Sequence, residues 1–288
     1  MRSRKGTGWL RASVVGSVLV LLGAGCGGDS GQGGATAGVG GAGPFGNATM
    51  PPVDFSAAGH GSGPGSGSLG SGDGGADCSH ALRLVLRDFT EAHPDFEAYT
   101  GDGLDGIVKD DLGGDHKPVY ASDGPTALTT GPAEFADWYH DVDGVNQRVE
   151  VDIGFMELSP GVFAYDNSAF FPIDGKGFGN GPGNADHNFL FTTEAHTLFT
   201  YKGGERFTFR GDDDLWVFIN NKLAVDLGGL HSRLEESIDF DANTDKLGIT
   251  VGQTYPMDIF HAECHTTESN FRIETTIDLS CIENVSVE

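Results

Sequence analysis

After residue 80, apolar and polar residues alternate with a period of two, the pattern of strands that bury one face. Leu82, Leu84 and Leu86 alternate with Arg83 and Arg87 over residues 81–89, which predicts a first strand. Residues 148–158 give the cleanest case: Val149, Val151, Ile153 and Phe155 alternate with Glu150, Asp152, Gly154 and Met156, and residues 163–165 continue it. Residues 197–210 predict a hairpin through Gly203-Gly204 that sets Leu198 against Phe209 and Thr200 against Phe207. Residues 237–240, 255–262 and 270–279 predict further strands, the last with Phe271, Ile273, Thr275 and Ile277 on one face. A short helix is predicted over 133–140, where Phe135 and Trp138 lie three apart. Residues 168–188, rich in Gly, Asn and Asp, break the rhythm and predict a long insertion loop. The predicted fold class is all-β: an antiparallel β-sandwich with one short helix and that loop.

Residues 211–231, GDDDLWVFINNKLAVDLGGLH, concentrate the chemistry. Asn220-Asn221 between two apolar runs tolerates positive φ at both centres of a type I′ turn. A regular register from that turn pairs Ile219 with Lys222, Phe218 with Leu223, Val217 with Ala224 and Trp216 with Val225, which puts Trp216, Phe218, Leu223 and Val225 on one core face. The same register sets Asp213 and Asp226 on one side as diagonal neighbours at the mouth of the hairpin. Tandem acids at a strand end repel unless a positive charge joins them, and a hard cation with oxygen ligands, Ca2+ above all, fits. The competing reading leaves Asp212, Asp213 and Asp214 solvated, capping a turn through Asx hydrogen bonds.

Several blocks in order resemble the fibro-slime domain and, more widely, the protective-antigen-type (PA fourteen) family: RDFTEAHPDFE, EFADWYHD, DNSAFFPIDGKGFGN, GDDDLWVFINNKLAVDLGGLH and MDIFHAECHTTESNFRIETTI. The resemblance runs from about Cys78 to the C-terminus and implies a β-sandwich of extracellular or cell-surface proteins. Sugar-binding members of the wider family hold Ca2+ on a cis-linked Asp-Asp pair, and glycan hydroxyls complete the ion's coordination. By position that pair falls on Asp212 and Asp213. Asp226 is expected to assist as a metal ligand, with Asp214, His231 and Asn270 around the bound ligand. The chain departs from the wider signature by having Asp214 in place of Gly and Asn220-Asn221 in place of Asp-Gly.

Residues 1–25 resemble a signal peptide: Arg2, Arg4, Lys5 and Arg11, then an apolar run from Ala12 to Leu22 too short to span a bilayer, then Gly23-Ala24-Gly25. Cys26 follows, as in a bacterial lipobox, so a lipidated Cys26 at a bacterial outer membrane or cell surface is expected, with simple secretion as the alternative. Residues 27–76 hold no Lys or Arg and 19 of the 46 glycines. Such a segment buries too little apolar surface to offset backbone ordering, so residues 26–77 read as a disordered tether and 78–288 as the folded domain. The formal charge of −25 argues against nucleic acid as a partner, because that binding rests on Lys and Arg against phosphates.

Of the four cysteines, Cys78 and Cys281 are expected to join the ends of the domain, with Cys264–Cys281 as the alternative. His261, Glu263 and His265 alternate and offer a weaker zinc reading. Asp174, Asn180, Asp186 and His187 offer a weaker second cation site. Nucleophile and phosphate-loop motifs are missing, and the paired acids lie in tandem instead of facing each other across a cleft, so a non-enzymatic role is expected. The expected ligand is a glycan bound through Ca2+. The alternative is an extracellular-matrix polymer or protein neighbour, with Ca2+ only structural.

Overall fold

The computed structural model describes residues 81–99, 103–266 and 268–287. Its strands are β1 (Ala81–Asp88), β2 (Gln147–Gly154), β3 (Met156–Ser159), β4 (Val162–Asn167), β5 (Phe191–Thr200), β6 (Arg206–Gly211), β7 (Asp214–Ile219), β8 (Lys222–Leu227), β9 (Leu234–Asp239), β10 (Thr254–Glu263), β11 (Phe271–Thr275) and β12 (Glu283–Asn284). The larger sheet runs β2-β1-β5-β10-β7-β8, with β12 also on β5, and the smaller runs β3-β4-β11-β6-β9. Every ladder is antiparallel. The fold is the expected all-β sandwich. Its helices are brief, α1 (Pro132–Ala136) and α2 (Thr244–Leu247).

The inner faces of the sheets meet in a core that includes Leu84, Phe191, Phe209, Val217, Phe271 and Ile273. A third layer covers the outer face of the larger sheet. There Phe96, Ile107, Phe135 and Trp138 pack on Trp216, Phe218 and Phe260. That layer comes largely from the described residues between 89 and 145, which are irregular apart from α1 and so show little periodicity in sequence beyond the spacing of Phe135 and Trp138. As a result β7 lies between two cores, with all six of its residues buried.

Three expected pairings are corrected. Residues 197–210 do not form a hairpin: β5 pairs with β1 and β10 in the larger sheet, while β6 pairs with β11 and β9 in the smaller, and the chain changes sheets at Gly203-Gly204. Residues 148–158 are likewise two strands, β2 and β3, in different sheets. The β7–β8 hairpin turns through Asn220 (φ 51) and Asn221 (φ 62) as expected, and Phe218 opposes Leu223. Beyond that point a bulge at Ala224 shifts the register, so Val217 opposes Val225 and Trp216 opposes Asp226. Trp216, Phe218 and Leu223 therefore face the outer layer, and Val225 faces the inner core.

Buried charge ties the outer layer to the sheet. On β5, Glu194 meets Lys117 Nζ at 2.6 Å and Arg87 Nη1 at 3.1 Å, and Arg87 Nε reaches Asp141 at 2.9 Å. Burial alone would raise the Glu194 carboxyl, but the His196 hydrogen bond and the Arg87 and Lys117 charges outweigh it and hold the pKa down to about 2. A carboxyl depressed on folding stabilises above its unfolded pKa of 4.5, and that contribution is lost as pH falls towards 2. Glu194→Gln should therefore cost roughly 3 kcal/mol at pH 6, because it leaves buried cations unpaired. In urea titrations at stepped pH, the gap to wild type should close between pH 4.5 and about 2.

Candidate cation and ligand site

The aspartates lie where β6, in the smaller sheet, passes into β7, in the larger, so the chain crosses the sandwich through Asp212 and Asp213. Entry into a strand buried on both faces buries what precedes it, and all three side chains are nearly inaccessible, at 4%, 8% and 2%. The peptide between Asp212 and Asp213 is cis.

Each carboxylate is fixed by its neighbours. Asp212 Oδ1 accepts from the Asn270 backbone N–H at 2.6 Å and Oδ2 from Asn270 Nδ2 at 2.8 Å. Gly211 permits this approach, since a Cβ there would lie 2.4 Å from the Asn270 carbonyl oxygen. Asp213 Oδ2 accepts from the Cys264 backbone N–H at 3.3 Å, and the His231 backbone amide also supports that carboxylate. Asp214 points to the outer layer and accepts from the Gly229 amide. Gly229 has φ +82°, and Leu104 and Leu128 occupy the space a Cβ would need, so the Gly-Gly of DLGGLH has a steric reason.

The structure thus gathers Asp212, Asp213, Asn270 and the backbone of His231. It separates Asp226 from them. The Ala224 bulge turns Asp226 to the outer face, where its carboxylate accepts from Trp216 Nε1 and the Gly106 amide, both at 2.9 Å. The expected role of Asp226 as a third metal ligand beside Asp213 is corrected on this ground. The His231 ring lies against the carbonyls of Ser232 and Leu227.

The pair has no strong counter-charge from the protein. Among the described residues no lysine or arginine forms an ion pair with Asp212 or Asp213, and several pair elsewhere, for example Arg206 with Asp239, Lys202 with Asp278 and Arg272 with Asp166. Only histidines offer relief, His231 to Asp212 and His265 to Asp213. Burial consequently raises the Asp212 carboxyl, pushes Asp213 up to about 7, and pushes Asp214, beside Asp213 and Asp226, up to about 8.

Below the pair, on the inner face of β10, sit His261 and Glu263, both fully buried. His261 Nε2 lies 2.9 Å from the Asp212 carbonyl oxygen, and burial lowers its pKa to about 4. Glu263 has neither carboxyl oxygen in a well-formed hydrogen bond, and burial beside Asp213 pushes its pKa well up. Nothing in the sequence singled out this floor beyond the alternation of His261 and Glu263. The zinc reading fails because His265 turns away, with Nδ1 2.6 Å from the Thr266 carbonyl and Nε2 3.6 Å from Glu97. Asp174, Asn180 and His187 are likewise consumed within their loop: Asp174 bonds His187 Nδ1 at 2.6 Å and Asn188 N at 2.8 Å, and Asn180 bonds Gly175 N at 2.7 Å.

Among the described residues no three His, Cys, Asp or Glu side chains converge to hold a metal. A cation at Asp212 and Asp213 would take two carboxylates from the protein and would have to fill the rest of a six-to-eight oxygen sphere with neutral oxygens, a demand Ca2+ tolerates.

Comparison with known proteins relates this site to a family. Residues 174–285 match the model of the PA14 domain. Within those residues the chain is similar to PA14 domains. The match takes in the aspartates, their floor and the Asn270 loop, and β1 to β4 add strands to the same two sheets. Among curated proteins, psiQ of Dictyostelium discoideum is 42% identical over 215 residues, covering 69% of this chain and 21% of psiQ. The psiD protein of the same organism is 40% identical over 217 residues, covering 70% of this chain and 42% of psiD. The chain thus spans between about a fifth and two fifths of these relatives. A solved PA14 sugar-binding domain from an RTX adhesin is similar at 10% identity and TM-score 0.34, covering 72% of this chain and 94% of that one.

These relatives correct the expected location. Dictyostelium is a eukaryote, which conflicts with a lipid-anchored position in a bacterial outer membrane. Cys26 and the predicted signal and tether lie outside the described residues, as does Cys78. Cys264 is a buried free thiol, so it does not pair with Cys281.

A buried acid whose pKa rises on folding opposes folding progressively as pH rises from its unfolded value to its folded one. For Asp214 the loss runs from the ordinary value of 3.8 up to about 8. In excess chelator, the melting temperature should fall between pH 5 and pH 8.5, and Asp214→Asn should flatten that fall in scanning calorimetry. An equal slope in the variant would contradict the assignment.

Proposed function

We propose that this PA14-like domain binds glycans through a Ca2+ ion held by Asp212 and Asp213. The observation that carries the reading is a pair of buried, adjacent carboxylates, each fixed by backbone amides and without a lysine or arginine against it. Such a pair is costly to bury ionised unless a cation joins it. The PA14 match over residues 174–285 supports the glycan part, since the family resemblance of the sequence implies an Asp-Asp pair at this position in sugar-binding members.

Asn270 has a double task here, holding the Asp212 carboxylate through its backbone and side-chain amides at the rim of the site. The His231 amide does the same for Asp213. With both protein carboxylates preset, the ion's remaining positions are open to neutral oxygens, and the vicinal hydroxyls of a sugar supply two at a spacing a hard cation accepts. Binding and not turnover is the role this arrangement serves, because the acids sit in tandem and do not face each other across a cleft. Asp214, facing the outer layer, and Asp226, tied to Trp216, support the fold around the site in this reading.

Calorimetric titration of the full chain with Ca2+ alone tests the first step, and a glycan array with Ca2+ or with chelator tests the second. The double variant Asp212→Asn, Asp213→Asn should weaken Ca2+ binding by at least about 100-fold, as expected for removing both charged ligands. Array signals should disappear on chelation. Glycan binding that ignores chelation would overturn the ion's role, and Ca2+ binding with a blank array would leave the ion structural and turn attention to protein partners.

A further inference from the structure

His261 is an anomaly in the inner core. Its ring is fully buried and walled by four phenylalanines, with ring centres 6.1 Å away for Phe170, 6.1 Å for Phe191, 6.5 Å for Phe209 and 5.3 Å for Phe271. A side chain that only filled this space would be apolar like its walls. A polar ring there needs partners, and this one has a single partner: Nε2 lies 2.9 Å from the Asp212 carbonyl oxygen, while Nδ1 meets nothing. A carbonyl oxygen only accepts, so Nε2 carries the proton and donates it. Nδ1 is left bare, at the cost of one unsatisfied buried acceptor. The hydrogen bond that offsets this cost ends on one peptide group, the one between the two candidate cation ligands.

We propose that His261 is a positioning residue for the Asp212–Asp213 pair, its Nε2–H fixing from beneath the peptide plane that joins them and hence the direction in which both carboxylates face a cation. The proposal rests on the reading of that pair as the cation site. The pair is then held at three points. Asn270 holds the Asp212 side chain, the Cys264 amide holds that of Asp213, and His261 holds the carbonyl between them. All three belong to β10 or to the residues from its end to β11, so one segment presets the site before any ion arrives. His261 takes no part in coordination, since its ring faces the core and not the ion.

Two measurements on the full chain test this. Two-bond proton–nitrogen NMR of the metal-free protein should show His261 with its proton on Nε2 and a bare Nδ1. Ca2+ titration should show His261→Phe binding at least ten times more weakly than wild type, with a melting temperature in chelator equal to or above wild type. His261→Gln, which keeps a donor, should recover part of that affinity. A merely structural histidine predicts unchanged Ca2+ affinity in His261→Phe, and that result would overturn the proposal while leaving the cation site intact. A proton on Nδ1 would overturn it as well, even if the phenylalanine variant fails to fold. A wild-type chain that takes up no Ca2+ at millimolar concentration would instead remove the cation site, and the proposal with it, whatever the tautomer.

Discussion

The molecule is governed by the double burial of β7. A strand covered on one face by the inner core and on the other by the outer layer admits no water along its length, and the aspartates stand at its entrance. Their carboxylates are consequently desolvated, and desolvation is the largest influence on each of them. The protein answers with backbone and amide donors from Asn270, Cys264, His231 and Gly229 and not with lysine or arginine. The carboxyls are thus held in place with no lysine or arginine against them, and burial shifts them towards the protonated form.

The contrast with Glu194 is instructive. Both sites are buried acids in the larger sheet or at its edge, yet Glu194 is met by Lys117, Arg87 and His196 and its pKa falls, whereas Asp213 and Asp214 rise. One arrangement locks the outer layer to the sheet, and the other leaves its acids without a lysine or arginine and shifted towards the protonated form. The Gly-Gly after β8 and the glycine before Asp212 belong to the second arrangement, since both serve to bring backbone close to the acids.

Much of this was legible in the residues. The Asn220-Asn221 turn, β10 and β11 follow from turn chemistry and a period of two. What escaped was whatever alternation does not encode. The bulge at Ala224 leaves no trace in an apolar strand, so Trp216 was set with Val225 and Asp226 with Asp213. Sheet changes at Gly203-Gly204 and near Phe155 look, residue by residue, like a hairpin and a single long strand. The outer layer is irregular, and only the spacing of Phe135 and Trp138 points to part of it; the unbroken LWVFI run, which fits a strand buried on both faces, reads by alternation as having a single core face. The resemblance led one to expect Asp212, Asp213 and Asn270 together, and they do lie together, while the contact of His261 with the Asp212 carbonyl needed the geometry.

The central claim is that a divalent ion completes the Asp212–Asp213 pair. Its most direct test is the melting temperature of the full chain as a function of free Ca2+. A ligand that binds only the folded state stabilises it in proportion to the logarithm of its concentration above Kd, so the melting temperature should climb steadily with log free Ca2+ and return to baseline on chelation. A melting temperature unmoved up to about 10 mM Ca2+, beyond the millimolar end of known Ca2+ sites, would contradict the account.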